Sequence, residues 1–100
     1  MQASSERYVL VKYFAKVREI TKKREEKIPI RNPTTVNKFL SELFSKYGYQ
    51  LKEFVMESDG ALKKNIGILV NGSSVNSNKM RKFHLSNHDE FVILPPIAGG

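Results

Sequence analysis

One hundred residues, 40% of them hydrophobic, fit a single domain with a modest core. The absence of cysteine removes disulfides, thiolate metal sites and a cysteine nucleophile together, and fits a reducing compartment. A formal net charge of +7 permits an acidic partner, nucleic acid or an anionic surface, but the basic residues are dispersed. The densest groups, Lys22-Lys23-Arg24, Lys63-Lys64 and Lys79 with Arg81-Lys82, fall in expected turns with few aromatics among them. They read as solvated surface charge, so nucleic acid is not the expected partner. No apolar run approaches the roughly 20 residues of a membrane span, and the polar start MQASSERY lacks the apolar stretch of a signal peptide. The expectation is a soluble, cytoplasmic protein that does not associate with membranes.

RYVLVKYF (7–14) is rich in β-branched and aromatic residues and predicts a strand. Alternation puts Val9, Val11 and Tyr13 on one face and Leu10, Lys12 and Phe14 on the other. Residues 15–26 are expected to hold a turn, and KIPI (27–30) to end a second strand, so that 7–14 and roughly 24–30 form an antiparallel hairpin. Pro29 demands an edge position or a gap in the ladder. NPTTVNKFLSELFSKYG (32–48) predicts a helix, since Val36, Phe39, Leu40, Leu43, Phe44 and Tyr47 make one continuous apolar stripe. Thr34 or Thr35 can cap its start and Gly48 its end.

The next stretch, 49–65, carries a weaker pattern: a short helical turn near Leu51–Val55, then a loop around Asp59-Gly60. IGILVNG (66–72) predicts a strand running into an Asn-Gly turn, with a short return strand around Val75. EFVIL (90–94) predicts the last strand, ended by Pro95-Pro96, neither of which can donate to a ladder. Residues 1–100 thus form one domain, with 95–100 as an extended, flexible C-terminal tail. The fold class is α+β: a mixed sheet of four to five strands curled around one main helix, a β-grasp or ubiquitin-like fold. In that arrangement the first and last strands lie side by side at the centre of the sheet.

Three blocks, VKYFAKVREIT (11–21), ILVNG (68–72) and DEFVILPPIAGG (89–100), resemble the MoaD/ThiS family of ubiquitin-like sulfur carriers, and most closely its molybdopterin synthase branch. The resemblance covers most of the chain in the right order; residues 48–66 are less distinctive and somewhat long for the family. It implies a carrier subunit rather than an enzyme, with no permanently bound cofactor. An E1-like activating enzyme would use ATP to adenylate Gly100, and a sulfur donor would convert it to a thiocarboxylate. The large synthase subunit would then take the sulfur for the pterin precursor of the molybdenum or tungsten cofactor. Thiamin-type carriers are a rival within the family, although they are usually shorter. An activated Gly100 also suits a ubiquitin-like protein modifier, whereas a plain binding module would leave the PPIAGG ending without a purpose.

Pattern and resemblance agree on the tail. Gly99 and Gly100 carry no side chain to obstruct a narrow channel. Pro95 and Pro96 start an extended segment, and Ile97–Gly100 can reach roughly 13–14 Å beyond them. Candidate partner-binding residues are Phe14, Arg18, Val92 and Leu94 with Pro95, Pro96, Ile97 and Ala98; Leu10 can join the first group. By alternation Phe14, Val92 and Leu94 form an apolar patch on the outer sheet face, which segment 48–66 would have to leave uncovered. Arg18 and Glu19 match the family's first motif and are expected to make a salt bridge or turn contact near the tail, or to touch the partner. His84 and His88 lack a third ligand for zinc, GILVNG lacks the lysine and hydroxyl of a phosphate loop, and nothing makes a catalytic triad.

Overall fold

The computed structural model describes residues 7–30 and 33–94. Its main sheet has five strands in the order β2-β1-β7-β4-β5. The strands are β1 (Tyr8–Tyr13), β2 (Glu25–Pro29), β4 (Gly67–Val70), β5 (Ser73–Ser74) and β7 (Glu90–Leu94). At the centre β1 and β7 run parallel, with Tyr13 opposite Ile93, and β2 and β4 flank them antiparallel. This is the expected β-grasp arrangement. Alternation holds along β1: Val9, Val11 and Tyr13 are fully buried and Leu10 and Lys12 half-buried.

Pro29 occupies the edge, as its missing N–H requires. Arg24 O accepts from Tyr13 N–H and Ile30 N–H donates to Arg7 O, each near 3 Å. The even-numbered residues of β2 therefore turn their backbone groups toward β1, and Pro29 turns away from it, so no ladder bond is lost.

The expected main helix and two shorter α-helices cover the inner face among the described residues. The stretch 15–26, expected to be only a turn, opens with α1 (Ala15–Thr21), which ends at Lys22 in the left-handed region, φ 64°. Seven residues are too few to hold a helix alone; burial of Val17 and Thr21 holds it. The predicted central helix is α2 (Val36–Tyr47), with Val36, Phe39, Leu40 and Leu43 buried and Phe44 and Tyr47 packed at the margin. Thr35 is its N-cap: Oγ1 accepts the Lys38 N–H at 3.2 Å. Gly48, φ 91°, closes it and leads into α3 (Tyr49–Val55), where the short helical turn was expected. Buried Leu51 and Val55 fasten α3, which packs on α1 and α2.

The Asn71-Gly72 turn has both residues at positive φ, 52° and 84°, which suits a tight hairpin. The return strand is β5, one residue before Val75, whose N–H still donates to Ile68 O. A second, two-stranded sheet pairs β3 (Thr34–Thr35) with β6 (His84–Leu85). Two-residue strands carry no periodicity, and the sequence does not announce them. The core lies between the main sheet and the helices, with Phe91 meeting Phe39 edge-on at 5.0 Å between ring centroids.

Candidate partner-docking site

The end of the sheet at which the described residues stop, at Leu94, is built by the central strand pair. Because β7 runs parallel to β1, its last residue, Leu94, comes to the end of the sheet where β1 gives way to α1, and there it faces Gly67 of β4. Phe14 stands at that junction in extended backbone, and its carbonyl accepts the first helical N–H groups. Phe14 is 38% exposed and Leu94 37%, two of only three large hydrophobic side chains so exposed among the described residues. Pro95, Pro96, Ile97, Ala98, Gly99 and Gly100 lie outside the described residues.

Of the other predicted residues, Val92 is on the outer face but is only 9% exposed. It sits between Lys12 and Leu69 in the sheet register. Val92 therefore supports the patch instead of presenting itself. Leu10 is half-buried. Segment 48–66 does not cover the patch: α3 joins the helical layer, and residues 56–62 fold back on themselves through a Met56–Leu62 bridge. Arg18 lies half-buried in α1, and among the described residues it makes no salt bridge; its Nε is buried without an acceptor. Glu19 reaches only Lys16, at 3.9 Å with both side chains exposed, a contact of little weight.

Leu69 and Gly67 also belong to the outer face and are absent from the sequence-derived candidates. The signal was present: in IGILV, inward Ile66, Ile68 and Val70 leave Gly67 and Leu69 pointing outward. In the middle of the same face the Lys12 ammonium meets the Glu90 carboxylate at 2.5 Å. That hydrogen bond and the charge of Glu90 raise the Lys12 pKa above its ordinary value. The pair neutralises the centre of the face and leaves the tail end apolar.

Two polar clusters hold the frame. Glu26 Oε2 accepts from the hydroxyls of Tyr13 (2.6 Å) and Tyr47, while Oε1 accepts from Lys46 (2.9 Å) and Lys23 (3.1 Å). Burial works to raise the Glu26 pKa, but the four donors prevail and hold it down at about 2. Tyr13 is pushed well above the ordinary phenol range, by burial first and then by Glu26. Every lone pair of this carboxylate is engaged, so it fastens β1, β2, α2 and the turn after α1 and has none left for a reacting group.

At the other end of the sheet, Asn71 Nδ2 donates to Asp89 Oδ1 at 2.9 Å, and Asn71 Oδ1 accepts from Glu90 N–H at 2.9 Å. Asp89 Oδ2 accepts from Ser86 N–H at 2.7 Å. The Asn-Gly and Asp-Glu elements of the sequence blocks thus lock to each other as structural parts. His88 lies against the Tyr8 ring at 4.7 Å. Among the described residues no three His, Asp or Glu side chains converge on a point.

The sheet is thus a β-grasp sheet with the last strand among the described residues at its centre and an exposed apolar corner at its end. The sequence profile of the ThiS family matches residues 11–100. The chain belongs to the ThiS family. No curated protein matches it. Among solved structures, this ThiS-family chain is similar to SAMP1 from Haloferax volcanii, with a TM-score of 0.78 and 26% identity over 93% of this chain and 99% of that one. It is similar to the small archaeal modifier protein 1 from Methanosarcina acetivorans, with a TM-score of 0.73 and 29% identity over 95% and 98% of the two chains. It is also similar to a protein assigned as molybdopterin converting factor, subunit 1, from Pyrococcus furiosus, with a TM-score of 0.69 and 26% identity over 90% and 98%. A molybdopterin converting factor subunit and small archaeal modifier proteins thus both stand among the structures it is similar to.

Proposed function

We propose that this ThiS-family chain is the sulfur-carrier subunit of a molybdopterin synthase, with Gly100 as its reactive residue. In this reading the Gly100 carboxylate attacks the α-phosphate of ATP on an E1-like enzyme, releasing pyrophosphate and forming an acyl-adenylate. A sulfide-level donor then attacks the carbonyl carbon, AMP leaves, and a C–S bond replaces C–O. The large synthase subunit receives the thiocarboxylate and transfers its sulfur to the pterin precursor. The carrier performs no chemistry alone and holds no cofactor of its own.

The observation that carries the reading is the position of Leu94. The central strand ends beside exposed Phe14, and PPIAGG follows from that corner. A docking face and the root of a thin tail are thereby adjacent, which suits a protein that is held by one surface while its end is worked on.

A second reading, a protein modifier conjugated through Gly100, is favoured by the similarity to the two small archaeal modifier proteins. Both readings share the adenylation step and part after it. Trypsin releases Phe83–Gly100 after Lys82, and the peptide contains no lysine, arginine or methionine to confuse its mass. Isolated from the host, sulfur in place of oxygen on Gly100 supports the carrier. The peptide branched onto a target lysine supports the modifier. An unaltered carboxylate after incubation with the activating enzyme, ATP and sulfur donor would sink both.

A further inference from the structure

We propose that Asn71 is a self-modification site: when its side chain comes off β7, the Gly72 amide nitrogen displaces the side-chain ammonia, and the aspartyl or isoaspartyl residue left at 71 cannot re-form the contacts that Asn71 made.

Asn71 alone among the asparagines precedes a glycine. Glycine has no side chain to hinder attack by its own backbone nitrogen. Nothing lies within 4 Å of where a Cβ at Gly72 would stand, and both turn residues are exposed. The step closes a succinimide ring. The bond from Gly72 N to Asn71 Cγ forms, the Cγ–Nδ2 bond breaks, and the Gly72 N–H proton leaves with Nδ2 as ammonia. Water then opens the ring. Attack at Cγ leaves aspartate in the ordinary chain; attack at the main-chain carbonyl leaves isoaspartate, with the backbone rerouted through Cγ. Nothing is oxidised or reduced.

What restrains the step is the grip of β7 on the side chain. Asn71 Nδ2 donates to Asp89 Oδ1, and Asn71 Oδ1 accepts from Glu90 N–H, each at 2.9 Å. The amide fits only this way round, since a flip would set NH2 against N–H and oxygen against carboxylate. Asp89 is itself fixed: its Oδ2 accepts from Ser86 N–H and its carbonyl from Leu10 N–H. Cγ therefore swings toward Gly72 N only after two hydrogen bonds are given up, one of them to a charged group. The product cannot return. An aspartate at 71 has no N–H for Asp89 and sets a second negative charge against it. An isoaspartate adds a carbon to the main chain of a two-residue turn whose φ values, 52° and 84°, suit the β4–β5 register. The lock fastens one end of the β4–β7 pair, which has Gly67 opposite Leu94 at its other end.

The test follows Asn71 in the full chain held at neutral pH well below its Tm. Trypsin then releases Asn65–Lys79, in which tandem mass spectrometry locates the mass gained when the amide becomes an acid. Conversion at Asn71 is expected to be at least about 10-fold slower in the folded chain than in the same peptide incubated free. Asp89→Ala is expected to speed it in the folded chain at least about 10-fold. Glu26→Gln, which weakens the fold without touching the turn, should leave the rate near that of the wild type. Equal rates in chain and peptide, or no acceleration by Asp89→Ala, would overturn the restraint. Equal acceleration by Glu26→Gln and Asp89→Ala would overturn it too, since global unfolding would then open the site. An Asn71 that stays intact in the free peptide would overturn the reaction itself. Asn71→Asp, the product made directly, is expected to lower the Tm by at least about 4 °C. Adding Asp89→Asn to it exchanges amide and acid across the lock and is expected to recover most of that loss. An unchanged Tm for Asn71→Asp, or no recovery in the double variant, would overturn the claim that the product cannot relock.

Discussion

Glu26 shows what one residue contributes here. Its side chain is 9% exposed and takes four donors from three directions. The folded pKa lies below the unfolded one, so the stabilisation is complete above the ordinary carboxyl value of 4.5 and is lost as pH falls through about 2. That gap corresponds to roughly 3–4 kcal/mol in full, and to about 2–3 kcal/mol once solvent screening of the half-exposed Lys23 and Lys46 is allowed for. Glu26→Gln is therefore expected to lower unfolding free energy by about that amount at neutral pH. Urea titrations of both proteins from neutral pH down to about pH 2.5 should show the difference shrinking; a constant difference would mean that the charge is not what stabilises. Inward-facing Tyr13 was legible from alternation in the first strand. Glu26 was not, because its partners Tyr13, Lys46 and Tyr47 are 13, 20 and 21 positions away and no local spacing joins them.

At the scale of elements, periodicity decided what could be read. The strands at 8–13, 67–70 and 90–94 and the helix at 36–47 each carry a repeated apolar pattern, and each is present near its expected limits. α1 was hidden because seven residues show scarcely two turns, and β3 and β6 because two residues show no period at all. That hidden sheet explains which threonine caps α2. Thr35 is free to accept the Lys38 N–H, whereas Thr34 is buried opposite Leu85, and its Oγ1 has no partner among the described residues. Neighbouring substitutions should thus act with opposite sign. Thr35→Ala is expected to cost about 1 kcal/mol by exposing the helix start. Thr34→Val, of similar shape and without the orphaned hydroxyl, is expected to stabilise by up to about 1 kcal/mol. Thermal unfolding of the two variants checks this, and destabilisation by both would mean that Thr34 Oγ1 has a partner.

On the proposed function, the whole molecule separates holding from reacting. The apolar corner at Phe14 and Leu94 was legible because strand alternation assigns faces. Val92 faces outward as alternation predicts but is only 9% exposed, because alternation reports direction and not degree of exposure. Two variants exploit the separation. Phe14→Asp, at a position 38% exposed, is expected to leave Tm nearly unchanged and to weaken docking at least about 10-fold, since exposed substitutions rarely destabilise by more than about 0.5 kcal/mol while a central interface aromatic is often a hot spot. Removal of Gly100 should do the reverse: no adenylate forms, yet the docking face is intact. The shortened chain is therefore expected to compete with the wild-type chain for the activating enzyme, with an inhibition constant close to the wild-type KM. Combining that deletion with Phe14→Asp should abolish the inhibition. If the shortened chain does not inhibit at all, the tail supplies most of the recognition, and the outer face is not what the partner holds.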